Sequence, residues 1–218
     1  MGSINYTIEP VRNNIFPSNS YLLIERESRY CIVIDPGLDL EAIKNKVAEF
    51  DVQPLAVLAT HGHFDHIGSA AYFQKKYGIP YYLHEADVKV SKAANFYLKM
   101  AKLDVKIETP QPDHLFNHPR ETLVIAPFEF VVYNLPGHSS GSCAFAFDGN
   151  LFSGDILYRK GLGFNHFPGE DKEKLKASIK WIFDHIPDQT MIYTGHGSPA
   201  LLSEIKRENA ELINFINE

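Results

Sequence analysis

The sequence predicts an α/β protein in which two sheets pack inside flanking helices. Three observations carry this. The predicted elements run strands then helices, and then strands and helices again, so each half offers a sheet with a face to bury. Several apolar runs that lead into Gly, His and Asp turns are short and of buried-strand type. The chain has 218 residues, 44% hydrophobic and 22% charged, the balance of a soluble globular protein with a sizeable core. No low-complexity segment or linker interrupts it, so one domain over residues 1–218 is expected. The halves show no letter-for-letter repeat, and their likeness is one of order alone.

The elements follow in turn. Ile4–Val11, Ser20–Glu25 and Tyr30–Ile34 are rich in Ile, Val, Tyr and Leu and read as strands. Asp35-Pro36-Gly37 stops the third. Asp39 then caps a helix from about Leu40 to Phe50, with Ala42, Ile43, Val47 and Phe50 on one face. Leu55–Ala59 is a short buried-type strand leading straight into Thr60-His61-Gly62-His63-Phe64-Asp65-His66. A helix from about Ile67 to Tyr77 is ended by Gly78 and Pro80. Tyr81–Leu83 is a further strand. From Glu85 to about Lys102 the pattern is helical, and Thr109–Pro119, with three prolines, reads as irregular. The stretch of about 85–119 is expected as a helical insertion over one edge of the molecule. Phe96, Tyr97, Met100 and Leu103 share one face of it. That face suits a lid over the site, a subunit contact or ordinary core packing. Strands resume at Leu123–Ile125, Phe128–Leu135, Cys143–Phe147 and Leu151–Ser153. A helix covers about Lys172 to His185, Met191–Tyr193 is a strand running into Thr194-Gly195-His196-Gly197, and a last helix spans about Leu201 to Ile216.

Charge and composition exclude several classes. The net charge is −6, which gives no long-range attraction to nucleic acid or anionic lipid. No window approaches the roughly 20 apolar residues of a membrane span. Met1-Gly2-Ser3-Ile4-Asn5 lacks the basic and apolar regions of a secretory signal. Cys31 and Cys143 each sit inside an apolar strand-like run and read as buried thiols. The expectation is a cytoplasmic monomer or homodimer acting on a small-molecule substrate, with no nucleic-acid or membrane partner.

The histidines carry the chemistry. The chain has ten, and three segments place them in one context, the loop just after an apolar strand. These are His61-Gly62-His63-Phe64-Asp65-His66, Gly137-His138 and Gly195-His196-Gly197; Ser153-Gly154-Asp155 adds a carboxylate in the same context. Strand ends at one sheet edge can converge on a single site, and glycines beside ligands permit close backbone approach. Imidazole and carboxylate suit zinc, manganese or iron, and the lack of cysteine argues against a structural zinc site. The cluster exceeds what one catalytic metal needs, whereas two metals about 3.5–4 Å apart would use all of it.

Thr60-His61-Gly62-His63-Phe64-Asp65-His66-Ile67-Gly68 resembles the signature of the metallo-β-lactamase superfamily. Pro136-Gly137-His138-Ser139-Ser140-Gly141-Ser142, Ser153-Gly154-Asp155 and Gly195-His196-Gly197 resemble its later ligand motifs. The spacing and Leu151-Phe152-Ser153-Gly154-Asp155 look most like the glyoxalase II-type branch in its short form, from Ile4 to the last helix. The resemblance implies a four-layer αββα sandwich with a dinuclear site at one edge of the sheets. It implies that His61, His63 and His138 hold one metal, that Asp65, His66 and His196 hold the other, and that Asp155 bridges them. Zinc is the first choice of metal, with iron and manganese as alternatives. Asp35, in Ile34-Asp35-Pro36-Gly37, resembles a carboxylate that supports the metal loop; ligating imidazoles need their other nitrogen paired.

The reaction this implies is hydrolysis of a small anionic thioester. Two divalent cations, two carboxylates and one hydroxide leave a core of about +1, which favours an anion. A metal-bridging hydroxide attacks the carbonyl, with Asp65 orienting it and taking its proton. A thiolate, of pKa about 8.5, leaves without prior protonation, whereas an amide nitrogen needs a proton donor. In Leu157-Tyr158-Arg159-Lys160-Gly161-Leu162-Gly163-Phe164-Asn165-His166, Phe164 occupies the place where related short-form members carry Arg or Lys. Tyr158, Arg159, Lys160, Phe164 and His166 are the candidate substrate residues. His84 is read as a helix cap. A mononuclear iron persulfide dioxygenase is the alternative of another reaction class, and a non-catalytic metal-binding regulator the alternative outside enzymes.

Overall fold

The computed structural model describes residues 5–164 and 169–218. The first half forms one six-stranded sheet from β1 (Tyr6–Arg12), β2 (Asn19–Glu25), β3 (Tyr30–Ile34), β4 (Gln53–Leu58), β5 (Tyr81–His84) and β6 (His114–Phe116), in that spatial order. The pairs from β1 to β3 are antiparallel, and those from β3 to β6 are parallel. The parallel pairs need helical crossovers. These are α1 (Leu40–Glu49), then α2 (Phe64–Ile67) and α3 (Ala70–Tyr77), then α4 (Val88–Lys92) and α5 (Ala94–Met100) after a 3-10 turn at Glu85–Asp87.

The second half repeats the plan. β7 (Arg120–Ile125), β8 (Phe128–Asn134), β9 (Cys143–Phe147) and β10 (Asn150–Gly154) form an antiparallel meander. α6 (Lys172–His185) crosses to β11 (Met191–Thr194), parallel to β10, and the two-residue β12 (Ala200–Leu201) closes that edge. α7 (Leu202–Glu208) and α8 (Ala210–Asn217) end the chain.

The period of two along each strand separates the layers. In β2, Tyr21 and Leu23 face the other sheet, where they join Phe128, Phe130, Phe145 and Phe152. Leu22 and Ile24 face the helices and pack with Ile43, Val47 and Phe73. Leu151 and Ile192 of the second sheet pack in the same way on Leu175, Ile179 and Ile182 of α6. The four layers are helix, sheet, sheet, helix, as expected. Asp39 caps α1 by accepting the Ala42 N–H at 3.1 Å. Gly78 ends α3 in the left-handed region at φ 64. Among the described residues no helix is long and apolar enough to cross a membrane.

Three segments differ from expectation, each for a tertiary reason. The helix expected over 67–77 is broken after Ile67, because the chain there presses on the loop after β3. Ser69 donates from its hydroxyl to Gly37 O at 2.6 Å and from its N–H to Pro36 O at 3.0 Å. The stretch read as irregular, 109–119, contains β6, which pairs with β5 in the register Tyr82 to His114 and extends the sheet. The last helix is two helices, broken at Asn209, whose amide donates to Tyr158 O at 3.1 Å and to Gly161 O at 2.9 Å. Its carbonyl oxygen caps α8 through the Leu212 N–H at 3.1 Å.

Candidate metal centre

Parallel strands end together, and that is what assembles the site. β3 delivers Asp35, β4 delivers Thr60 and the loop to His66, and β5 delivers the turn that ends at Asp87. From the facing sheet β10 delivers Asp155, β11 delivers His196, and the β8–β9 loop delivers His138. The two loop sets are laced together: Cys143 N–H donates to Thr60 O at 2.7 Å, and Asn19 N–H to Gly195 O at the same distance. Gly195 has to be glycine, since a Cβ there would run into Asp155 Oδ1. Gly154 has φ 50 and faces Thr60 with no room for a side chain.

All seven predicted ligand residues meet at this edge. His63 Nδ1 lies 3.1 Å from His61 Nε2 and 2.9 Å from His138 Nε2. Asp65 Oδ2 lies 3.4 Å from both His66 Nε2 and His196 Nε2. Asp155 stands between the two groups. Its Oδ1 is 3.4 Å from His66 Nε2, and its Oδ2 is 3.2 Å from His196 Nε2 and 3.5 Å from His138 Nε2. Three sets of ligand atoms each fall within 4.8 Å of one another: His61, His63 and His138; His61, His66 and Asp155; Asp65, His66 and His196.

The outward ring nitrogens explain why the inward ones converge. Thr60 Oγ1 donates to Asp35 Oδ2 at 2.7 Å, so it accepts from His61 Nδ1 at 3.1 Å. His66 Nδ1 donates to Asp35 Oδ2 at 3.1 Å and His138 Nδ1 to Gly163 O at 2.7 Å, while His196 Nδ1 pairs with Pro17 O. In all four rings the Nδ1 proton is committed outside, which leaves Nε2 facing inward. Asp35 also accepts the Thr60 N–H at 2.7 Å. It holds φ 49, a left-handed conformation that Asp tolerates, and its backbone oxygen takes the Ser20 hydroxyl at 2.6 Å.

The charges divide the site in two. Burial and the neighbouring imidazoles push His61 well below its ordinary range and His63 down to about 3. Burial opposes charge on Asp65 and Asp155 as well, but His66 and His196 outweigh it and hold both carboxyls well below the usual range. In return, and against burial, the carboxylates hold His66 well above its range and raise His196 to about 10. One half holds the neutral imidazoles of His61 and His63; the other is a compact ion-pair cluster. Two atoms in it are buried without a hydrogen-bond partner, His66 Nε2 and Asp155 Oδ1. Buried polar atoms short of a hydrogen bond at such depth are costly. Their nitrogen and oxygen chemistry, among the other convergent ligand atoms, fits a divalent metal ion.

The ligand cluster forms the floor of a cavity of about 420 Å³. Tyr158 lines it, packing edge-on to the His196 ring at 5.6 Å. The other described candidates for substrate contact do not. Arg159 turns to α7, with Nη2 3.9 Å from Glu204 and 3.8 Å from Glu208. Lys160 is exposed outside the lining, and Phe164 packs 6.2 Å from the Phe215 ring in the helical layer. His166 lies outside the described residues. His84 caps the turn after β5, accepting the Ala86 N–H at 3.2 Å.

Asp87 is the residue that sequence reasoning missed. It is fully buried, and its carboxylate accepts the Gly62 N–H at 2.8 Å, the Ser139 hydroxyl at 2.7 Å and the Gly141 N–H at 2.7 Å. It thereby ties the loop of His61 and His63 to the loop of His138. The available signal was its place, a carboxylate just past a strand end, shared with Asp35 and Asp155.

Comparison with known proteins agrees with this arrangement. Residues 13–198 match the family model described as the metallo-beta-lactamase superfamily. A probable metallo-hydrolase, YqgX, of Bacillus subtilis (strain 168) is 34% identical over 182 residues, covering 83% of this chain and 85% of that protein. The hydroxyacylglutathione hydrolase GloC of Haemophilus influenzae is 32% identical over 209 residues, covering 94% and 97%. The solved structure of TTHA1623 in a di-iron-bound form superposes with a TM-score of 0.82 at 31% identity, covering 93% of this chain and 98% of that one.

Proposed function

Since the chain belongs to the metallo-beta-lactamase superfamily, we propose that it is a dinuclear metal-dependent hydrolase of thioesters. The observation that carries this reading is the pair of ligand trios with Asp155 between them, and two buried atoms, His66 Nε2 and Asp155 Oδ1, that lie 3.4 Å apart without a hydrogen bond. In this reading His61, His63 and His138 hold one ion, Asp65, His66 and His196 the other, and Asp155 reaches both. Zinc is the first choice, and the di-iron form of TTHA1623 keeps iron as an alternative. Bound divalent ions polarise a carbonyl and lower the pKa of water toward about 7.

The remaining work falls to the chain's own side chains. Asp65 orients the attacking water and takes its proton. Tyr158, held well above its ordinary range by burial and Asp155, stays a neutral phenol at the cavity wall. No described group outside the ligand set is placed as a strong acid for an amine leaving group. A thiolate needs no such acid, and GloC, by its name a hydroxyacylglutathione hydrolase, is a relative over nearly the whole chain.

The test is hydrolysis of S-lactoylglutathione by protein stripped with a chelator and reloaded with zinc, iron or manganese. Turnover lost on stripping and restored on reloading is expected. Absence of hydrolysis with every metal, joined to oxygen consumption with glutathione persulfide, contradicts the reading in favour of persulfide oxidation.

A further inference from the structure

We infer that the cavity selects thioesters of apolar, uncharged acyl groups, and that Phe16 and Tyr97 are the residues that select them. The inference rests on the thioesterase reading above and adds the substrate class.

The walls above the ligand floor are aromatic and aliphatic. Phe16 comes from the β1–β2 loop, Phe64 from the start of α2, Tyr97 from α5, and Leu162 from the segment after β10. Phe16 and Phe64 meet edge to face at 5.3 Å, and Phe16 also approaches the His196 ring at 6.4 Å. Among the described residues, no lysine or arginine lines the cavity. The three cations nearest in sequence to its lining are Arg159, directed at Glu204 and Glu208, and the exposed Lys99 and Lys160. A carboxylate at the far end of the acyl group would lie against these apolar walls, away from the ligand floor, with no described Lys or Arg to pair it, and an unpaired buried charge is strongly disfavoured.

The apolar character continues onto the surface. Ile15, beside Phe16, is 42% exposed; on α5, Phe96 is 62% and Met100 55% exposed, one residue before and three after Tyr97. Large apolar side chains exposed together mark binding surfaces more often than chance. Of these, Phe96 meets the ring of the wall residue Tyr97 at 5.7 Å, which suits an acyl chain longer than the cavity.

The experiment is an acyl series on N-acetylcysteamine: acetyl, butyryl, hexanoyl, octanoyl, phenylacetyl and succinyl. Hexanoyl is then compared on N-acetylcysteamine and on glutathione, so that acyl and thiol preferences separate. The non-hydrolysed ketone analogues, with CH2 in place of sulfur, are titrated by calorimetry. Each buried methylene is expected to raise kcat/KM about threefold to fourfold, through KM, up to hexanoyl. Succinyl is expected at least tenfold below butyryl, and the ketones to bind in the same order. Phe16→Ala and Tyr97→Ala are expected to lower the hexanoyl-to-acetyl ratio at least tenfold each. A flat series, a preference for succinyl, or selection that follows the thiol overturns the inference while leaving the hydrolase reading intact. If no thioester is cleaved, that reading falls; ketones that then bind without apolar preference overturn the inference as well.

Discussion

The carboxylate of Asp87 accepts the Gly62 backbone N–H at 2.8 Å, the Ser139 hydroxyl at 2.7 Å and the Gly141 N–H at 2.7 Å, so that one side chain joins the loop of His61 and His63 to that of His138. Gly62 sits so close that a Cβ would lie 2.8 Å from Asp87 O. A residue outside the imidazole trio therefore helps to set its spacing.

Asp87→Asn keeps the shape but replaces one acceptor oxygen with an NH2 that faces donors. We expect destabilisation of about 2–4 kcal/mol in urea unfolding. Metal content is expected to fall at the His61, His63 and His138 trio before the other. Unchanged stability and unchanged metal content would show that the clamp does no such positioning.

Asp35 acts on the other half through His66. It takes the Nδ1 proton of His66 and the Thr60 hydroxyl, which keeps His66 Nε2 inward. Asp35→Asn is expected to weaken metal binding about 10- to 100-fold, the usual range for an outer hydrogen-bond partner of a ligand. Competition with a chromophoric chelator measures it, and an unaltered dissociation constant contradicts the role.

The charge division predicts where protons go. In the metal-free protein His66 and His196 are held protonated at neutral pH by Asp65 and Asp155, the latter ring with a pKa raised to about 10. His61 and His63 are neutral. Metal entering the Asp65, His66 and His196 trio displaces about two protons, whereas His61 and His63 release none. Affinity at the first trio therefore weakens as pH falls from 8 to 6, by up to about tenfold per proton per pH unit. Calorimetry in buffers of different ionisation enthalpy reads the proton count. Binding of both ions without proton release would contradict the assignment.

Much of the architecture was legible because it rests on local pattern. The alternation in β2, the Asp39 cap and Gly78 each act within a few residues. The candidate ligand residues were legible because strand ends concentrate them in four short motifs. What stayed hidden depends on partners distant in sequence. The break after Ile67 needs Gly37, the break at Asn209 needs Tyr158 and Gly161, and β6 needs the free edge of β5. Arg159 read as a substrate residue because its partners, Glu204 and Glu208, come from a helix that begins more than forty residues later. Asp87 was missed for the same reason, since its place just past a strand end gains meaning only once Gly62 and Gly141 surround it.

In the dinuclear reading, Asp155 stands between two metal positions. Elemental analysis of the purified wild-type protein and of Asp155→Asn tests it most directly. About two ions per chain are expected in the wild type, and a loss of metal in the variant. A single ion per chain in the wild type, or full occupancy that survives the substitution, would contradict it.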